Sequence, residues 1–110
     1  MNGRNVVRSH PVAMSSLTPE QLRRSVAKLL VVRASGHHQD NQRRYPRWEL
    51  SNEQLKRLLD DGVGGVILLG GSAIELQQRT LQLQSWSSQP LLFCADVEEG
   101  IGQRFEGASW

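Results

Sequence analysis

Cysteine is almost missing from this chain: Cys94 is the only one in 110 residues. A lone thiol excludes an internal disulfide framework and suits a reducing compartment, so a cytoplasmic location is expected. Within the run Leu91–Ala95, Cys94 reads as a small buried hydrophobe. Aromatic residues make up only 5% of the chain. A chain of this size with so few large side chains can bury only a modest core. No apolar run approaches the roughly 20 residues of a membrane-spanning helix, so no membrane partner is expected. Met1–Ser16 contains Arg4 and Arg8 but no apolar stretch, so it reads as a disordered leader and not a secretory signal. Residues 17–110 are then the folded part, short enough for one domain.

Charge is ordinary in total and uneven in placement. The formal net charge is +2. Residues 1–60 hold eleven Lys or Arg against five Asp or Glu, whereas residues 61–110 hold two against six. A basic front half raises nucleic acid as a partner. The cations are scattered and share no helical face, so a solvated surface is the expectation and no nucleic-acid partner is assigned.

Local signals alternate regularly. Thr18-Pro19-Glu20-Gln21, Ser51-Asn52-Glu53-Gln54 and Ser72-Ala73-Ile74-Glu75 each place a capping hydroxyl three residues before Gln or Glu. The first opens a helix over Pro19–Ala27 with Leu22 and Val26 on one face. The second opens a helix carrying Leu55, Leu58 and Leu59, stopped by Gly62. The third carries Ile74, Leu76, Leu81 and Leu83 and fades over Ser85–Gln89. Between them lie short apolar runs, Leu29–Val32, Val66–Leu69 and Leu91–Ala95, which read as strands buried on both faces. Ala34–Trp48 reads as a long polar loop. Strands alternating with helices predict an α/β fold with a parallel sheet, either doubly wound or part of a (β/α)8 barrel.

In both architectures ligands meet the carboxyl ends of the strands. Asp96 closes the third apolar run, where a carboxylate can accept hydrogen bonds from sugar hydroxyls or join acid–base chemistry. Arg104 follows eight positions later and could bind Asp96 or a ligand, and Glu98 and Glu99 add nearby carboxylates. Gly70-Gly71-Ser72 before a helix could hold phosphate, but no GxGxxG or GKS/T pattern accompanies it, and a tight turn with an N-cap explains it. His37, His38 and Asp40 lack metal-ligand spacing and read as a polar loop, so no metal is expected. Trp48 and Trp86 read as packing residues.

Two stretches, Gly62-Val63-Gly64-Gly65-Val66-Ile67-Leu68-Leu69 and Pro90-Leu91-Leu92 through Asp96-Val97-Glu98-Glu99-Gly100-Ile101-Gly102-Gln103-Arg104, together resemble the N-terminal barrel domain of glycoside hydrolase family 3. That family includes β-N-acetylglucosaminidases and β-glucosidases. The resemblance spans about Leu17 to Trp110. Glu99 replaces the first Gly of the usual pair, and Ile101-Gly102 stands where Arg-Val is common.

The resemblance implies about three β/α units of a (β/α)8 barrel and retaining hydrolysis of a β-linked amino sugar or sugar. It implies that Asp96 and Arg104 bind the non-reducing sugar, with Glu98 supporting the loop. The family's nucleophile and proton donor belong to later units, so no catalytic residue is expected here, and a full barrel needs about 250 residues. Two protein groups suffice for the chemistry, so no cofactor is expected. By itself the chain is expected to be inactive and to leave apolar sheet surface uncovered. A reading of another class is a small non-catalytic α/β module binding an anionic ligand or a protein.

Overall fold

The computed structural model describes residues 16–95. All three capping boxes form. Gln21 N donates to Thr18 Oγ1 at 3.1 Å, and Thr18 N donates back to Gln21 Oε1 at 2.9 Å. Helix α1 follows over Pro19–Ala27. Ser51 with Gln54 opens α2, Asn52–Asp60, and Ser72 with Glu75 opens α3, Ala73–Ser85. Each box satisfies two amides that the first helical turn leaves without partners. Gly62 ends the second unit with φ 106°, the left-handed cap expected of it.

Three strands, β1 (Val31–Ser35), β2 (Gly65–Leu69) and β3 (Leu92–Cys94), form a parallel sheet in the order β1-β2-β3. Val31 to Ser35 stand opposite Gly65 to Leu69, and Gly65 to Ile67 opposite Leu92 to Cys94. The α/β expectation therefore holds for a three-stranded sheet with three helices.

The strand limits differ from the sequence reading. Leu29 and Leu30 are not strand: their amides donate to Val26 O and Ala27 O and close α1. Leu29 is 81% exposed. The ladder begins at Val31 and takes in Ala34 and Ser35, which the sequence pattern places in the loop and which are fully buried. Backbone pairing to Leu68 and Leu69 overrides the polar look of that stretch.

The expectation of strands buried on both faces is also corrected. By register, Val32, Ala34, Val66, Leu68 and Phe93 share one face, and all belong to or pack against the core with Leu55, Leu59 and Leu83 of the helices. The other face carries Val31, Arg33, Ile67, Leu69, Leu92 and Cys94. Val31 is 43% and Leu92 64% exposed, and Cys94, expected to be buried, is exposed as well. The physical reason is topological. Consecutive strands added in one direction through right-handed crossovers place α2 and α3 on the same side.

Helix α1 sits at the other end of the strands. Gly64 N donates to Ala27 O at 3.2 Å, and Arg23 pairs with Asp61 at 2.8 Å. Leu22 and Val26 share a face, as their spacing predicts, but that face is exposed. In α3, of the apolar residues singled out, Ile74 and Leu81 are about two-thirds solvent-exposed, whereas Leu83 is fully buried. The packed stripe is Leu76, Arg79, Leu83 and Trp86.

Leu59→Ala should lower unfolding free energy by about 2–5 kcal/mol, because a fully buried leucine leaves a cavity. Leu81→Ala should change it by less than about 0.5 kcal/mol. Urea titration of the two variants checks the inward stripe directly.

Candidate functional site

The carboxyl ends of parallel strands collect the loops that bind ligands. Here the rim is built from Ser35–His38 after β1 and Gly70–Ser72 after β2. The two turns come very close. A Cβ on Gly36 would lie 2.0 Å from Gly70 O, so no other residue fits there without moving the backbone. Gly36 N also donates to Leu69 O at 2.8 Å, extending the ladder by one bond.

This approach brings together two side chains that are 38 positions apart. His37 Nδ1 and Glu75 Oε2 lie 2.8 Å apart, both partly buried. Glu75 is fixed at its other oxygen, where Oε1 accepts from Ser72 N at 3.1 Å. The hydrogen bond to His37, and then the backbone bond at Ser72, hold the Glu75 carboxyl below its ordinary value of 4.5. His37 N donates to Ser35 Oγ at 3.1 Å, which fixes the loop from below. Sequence reasoning placed His37 in a polar loop and Glu75 in a capping box. Both readings place the residues in the right local element, but the His37 side chain is only 20% exposed where a solvent-exposed loop is expected, and neither spacing nor composition joins the two residues.

Beside the pair lies a buried guanidinium. Arg79 is 1% exposed and donates Nε to Ser35 O at 2.9 Å. Its Nη1 donates to Asn52 Oδ1 at 2.8 Å and to Gln82 Oε1 at 2.7 Å. Burial lowers its pKa, and the charge of Asp40 opposes that shift. Asn52 in turn donates Nδ2 to His38 O at 2.7 Å, and its amide donates to Asp40 Oδ1 at 2.8 Å. Arg79 and Asn52 therefore tie α2, α3, the end of β1 and the loop after it into one polar cluster. Sequence reasoning did not single out Arg79. Its only signal is position, three residues after Leu76 and four before Leu83 on the packed stripe.

The loop from 36 to 50 is more ordered than a long polar loop implies. Asp40–Gln42 forms a 3-10 turn. Glu49 is almost wholly buried, takes the Tyr45 amide on Oε1, and leaves Oε2 without a partner among the described residues. Leu50 N donates to Arg33 O at 3.1 Å, touching the free edge of β1. Trp86 packs against the core as expected. Trp48 does not: it is 56% exposed, with Arg47 stacked 5.3 Å from its ring centre.

Other sequence-singled residues separate. His37 goes to Glu75 and Asp40 to Asn52, and among the described residues no three His, Cys, Asp or Glu side chains assemble. Gly70-Gly71-Ser72 is a tight turn and N-cap, with φ 78° and 95° at the glycines. Its helix start is occupied by the chain's own Glu75 carboxylate, which repels an incoming anion. Asp96, Glu98 and Arg104 lie outside the described residues, as does the leader apart from Ser16. Ala95, the last described residue, brings the chain to the same rim. No helix among the described residues is long and apolar enough to cross a membrane.

Compared with known proteins, the chain matches no family model, and no curated protein matches its sequence.

Arg79→Met should cost about 2 kcal/mol, since it strands Ser35 O and Asn52 Oδ1 without donors. Hydrogen exchange should quicken in residues 37–42; unchanged protection there would refute the clamp. Glu75 has a folded-state pKa below that of the unfolded chain, so its contribution is complete above 4.5 and is lost as pH falls through the folded value. Thermal midpoints of the chain and Glu75→Gln should therefore converge below that pH.

Proposed function

We propose that the chain is the N-terminal portion of a retaining β-glycosidase of glycoside hydrolase family 3, cytoplasmic, acting on a β-linked N-acetylhexosaminide, with β-glucoside as the close variant. One observation carries the reading. A sequentially ordered parallel sheet has helices on one face, and its opposite face is apolar apart from Arg33 and the buried Ser35, with Val31 and Leu92 exposed on it. All-parallel sheets need both faces covered. Closure into a barrel covers the inner face with side chains from the other strands. The stretch with the family wording, Pro90–Arg104, starts at the foot of β3, and its described part ends with Ala95 just after the strand.

In this reading the rim is the sugar site. Asp96 accepts hydrogen bonds from hydroxyls of the non-reducing sugar, Arg104 lines the same subsite, and Glu98 supports the loop. The nucleophile and the proton donor come from other β/α units of the barrel. Hydrolysis proceeds through a covalent glycosyl-enzyme, with two protein groups and no cofactor.

The 110-residue chain alone should give no turnover of a chromogenic β-N-acetylglucosaminide. Reading the genomic DNA past the codon for Trp110 tests the barrel itself. Further strand–helix units with an Asp-bearing motif, in frame or after a frameshift, support it. Their absence overturns it. An apolar dye should bind the bare sheet face, and Leu92→Ser with Val31→Ser should weaken that binding severalfold.

A further inference from the structure

We propose that His37 is a hydroxyl-binding residue of the rim, held by Glu75 so that its Nε2 presents a lone pair to a sugar hydroxyl. The identity of the ligand rests on the glycosidase reading; the state of the imidazole does not.

The chemistry follows from the contact. A carboxylate only accepts hydrogen bonds, so the 2.8 Å approach of Glu75 Oε2 requires a hydrogen on His37 Nδ1. In the neutral ring Nε2 is then an acceptor. Glu75 is itself immobilised by Ser72 N and by its place in the first turn of α3, so the imidazole is anchored on a helix. Among the described residues nothing bonds to Nε2. Its neighbour is Gly70, where a Cβ would already touch Nε2 at 3.7 Å, so the glycine spares that edge of a ring that is 20% exposed.

The same geometry selects the ligand. A lone pair beside a carboxylate repels phosphate and carboxylate groups. It favours a hydrogen-bond donor, and the glycosidase reading makes that donor a sugar, which offers several O–H groups on adjacent carbons. This carboxylate–imidazole pair resembles arrangements in which a carboxylate fixes the tautomer of a working histidine. A purely structural tie between the β1 loop and α3 would make no use of Nε2.

The test is long-range 1H–15N NMR on the 110-residue chain above the imidazole titration range, with methyl β-N-acetylglucosaminide as probe. The expected result is a His37 ring protonated at Nδ1, with an Nε2 resonance that shifts on adding the sugar. Inorganic phosphate should not reproduce the shift. Glu75→Gln replaces the acceptor with a group that can donate, and should weaken the His37 response about tenfold. If that variant does not fold, the tautomer and the probe response of the unaltered chain decide. A ring protonated at Nε2 overturns the inference, as does a His37 signal that stays still while the Asp96 and Arg104 amides shift. Both leave the glycosidase reading standing. A phosphate response equal to that of the sugar also overturns it. A His37 shift with Asp96 and Arg104 unmoved supports the inference and counts against the assigned subsite. No sugar response at any residue overturns the inference, and the DNA past Trp110 then decides the glycosidase reading separately.

Discussion

Parallel pairing in sequential order is the constraint from which the other features follow. Each β-to-β connection must cross over the sheet, and right-handed crossovers repeated in one direction return to the same side. Helices α2 and α3 therefore share one face and make one core with it. That core is closed by Leu55, Leu59 and Leu83, all fully buried. The opposite face keeps Leu92 and Val31 in contact with solvent, while Ser35 at its far end is buried. The same constraint points all three strands one way, so their carboxyl ends make one rim.

At the rim, backbone proximity controls chemistry. Gly36 lets two turns touch where any side chain would separate them, since a Cβ there would meet Gly70 O. That contact carries His37 to Glu75 and places the β1 carbonyls over α3. Arg79 then reaches from the helix layer to Ser35 O, and Asn52 reaches from α2 to the same loop. A buried guanidinium held mainly by neutral oxygens is a costly way to join elements. It is tolerated because removing it would leave several buried acceptors without donors. The result is a polar floor beneath the strand tips, to which the His37–Glu75 pair is tied.

Local structure was readable wherever a few neighbouring residues decide it. The three capping boxes, Pro19 at the first turn and Gly62 at the second helix end each act within one turn of chain, and each is found as expected. Apolar runs located the strands but not their ends, because Leu29 and Leu30 are as apolar as any strand residue yet close a helix. Helix α3 carries two apolar stripes, Ile74 with Leu81 and Leu76 with Leu83. Periodicity scores both alike, and only packing chose the second, with Arg79 inside it.

Sequence alone determined the fold class, the helix starts, and the chemical types at the strand tips, since these depend on propensity, capping and short apolar runs. Tertiary structure decided which sheet face is covered, which stripe of α3 is buried, and that His37 meets Glu75. Those outcomes arise from contacts between residues 27 to 44 positions apart, in pairs such as Arg79 with Asn52 and Arg79 with Ser35. No local pattern encodes such a distance; it exists only once the ladder has brought the turns together.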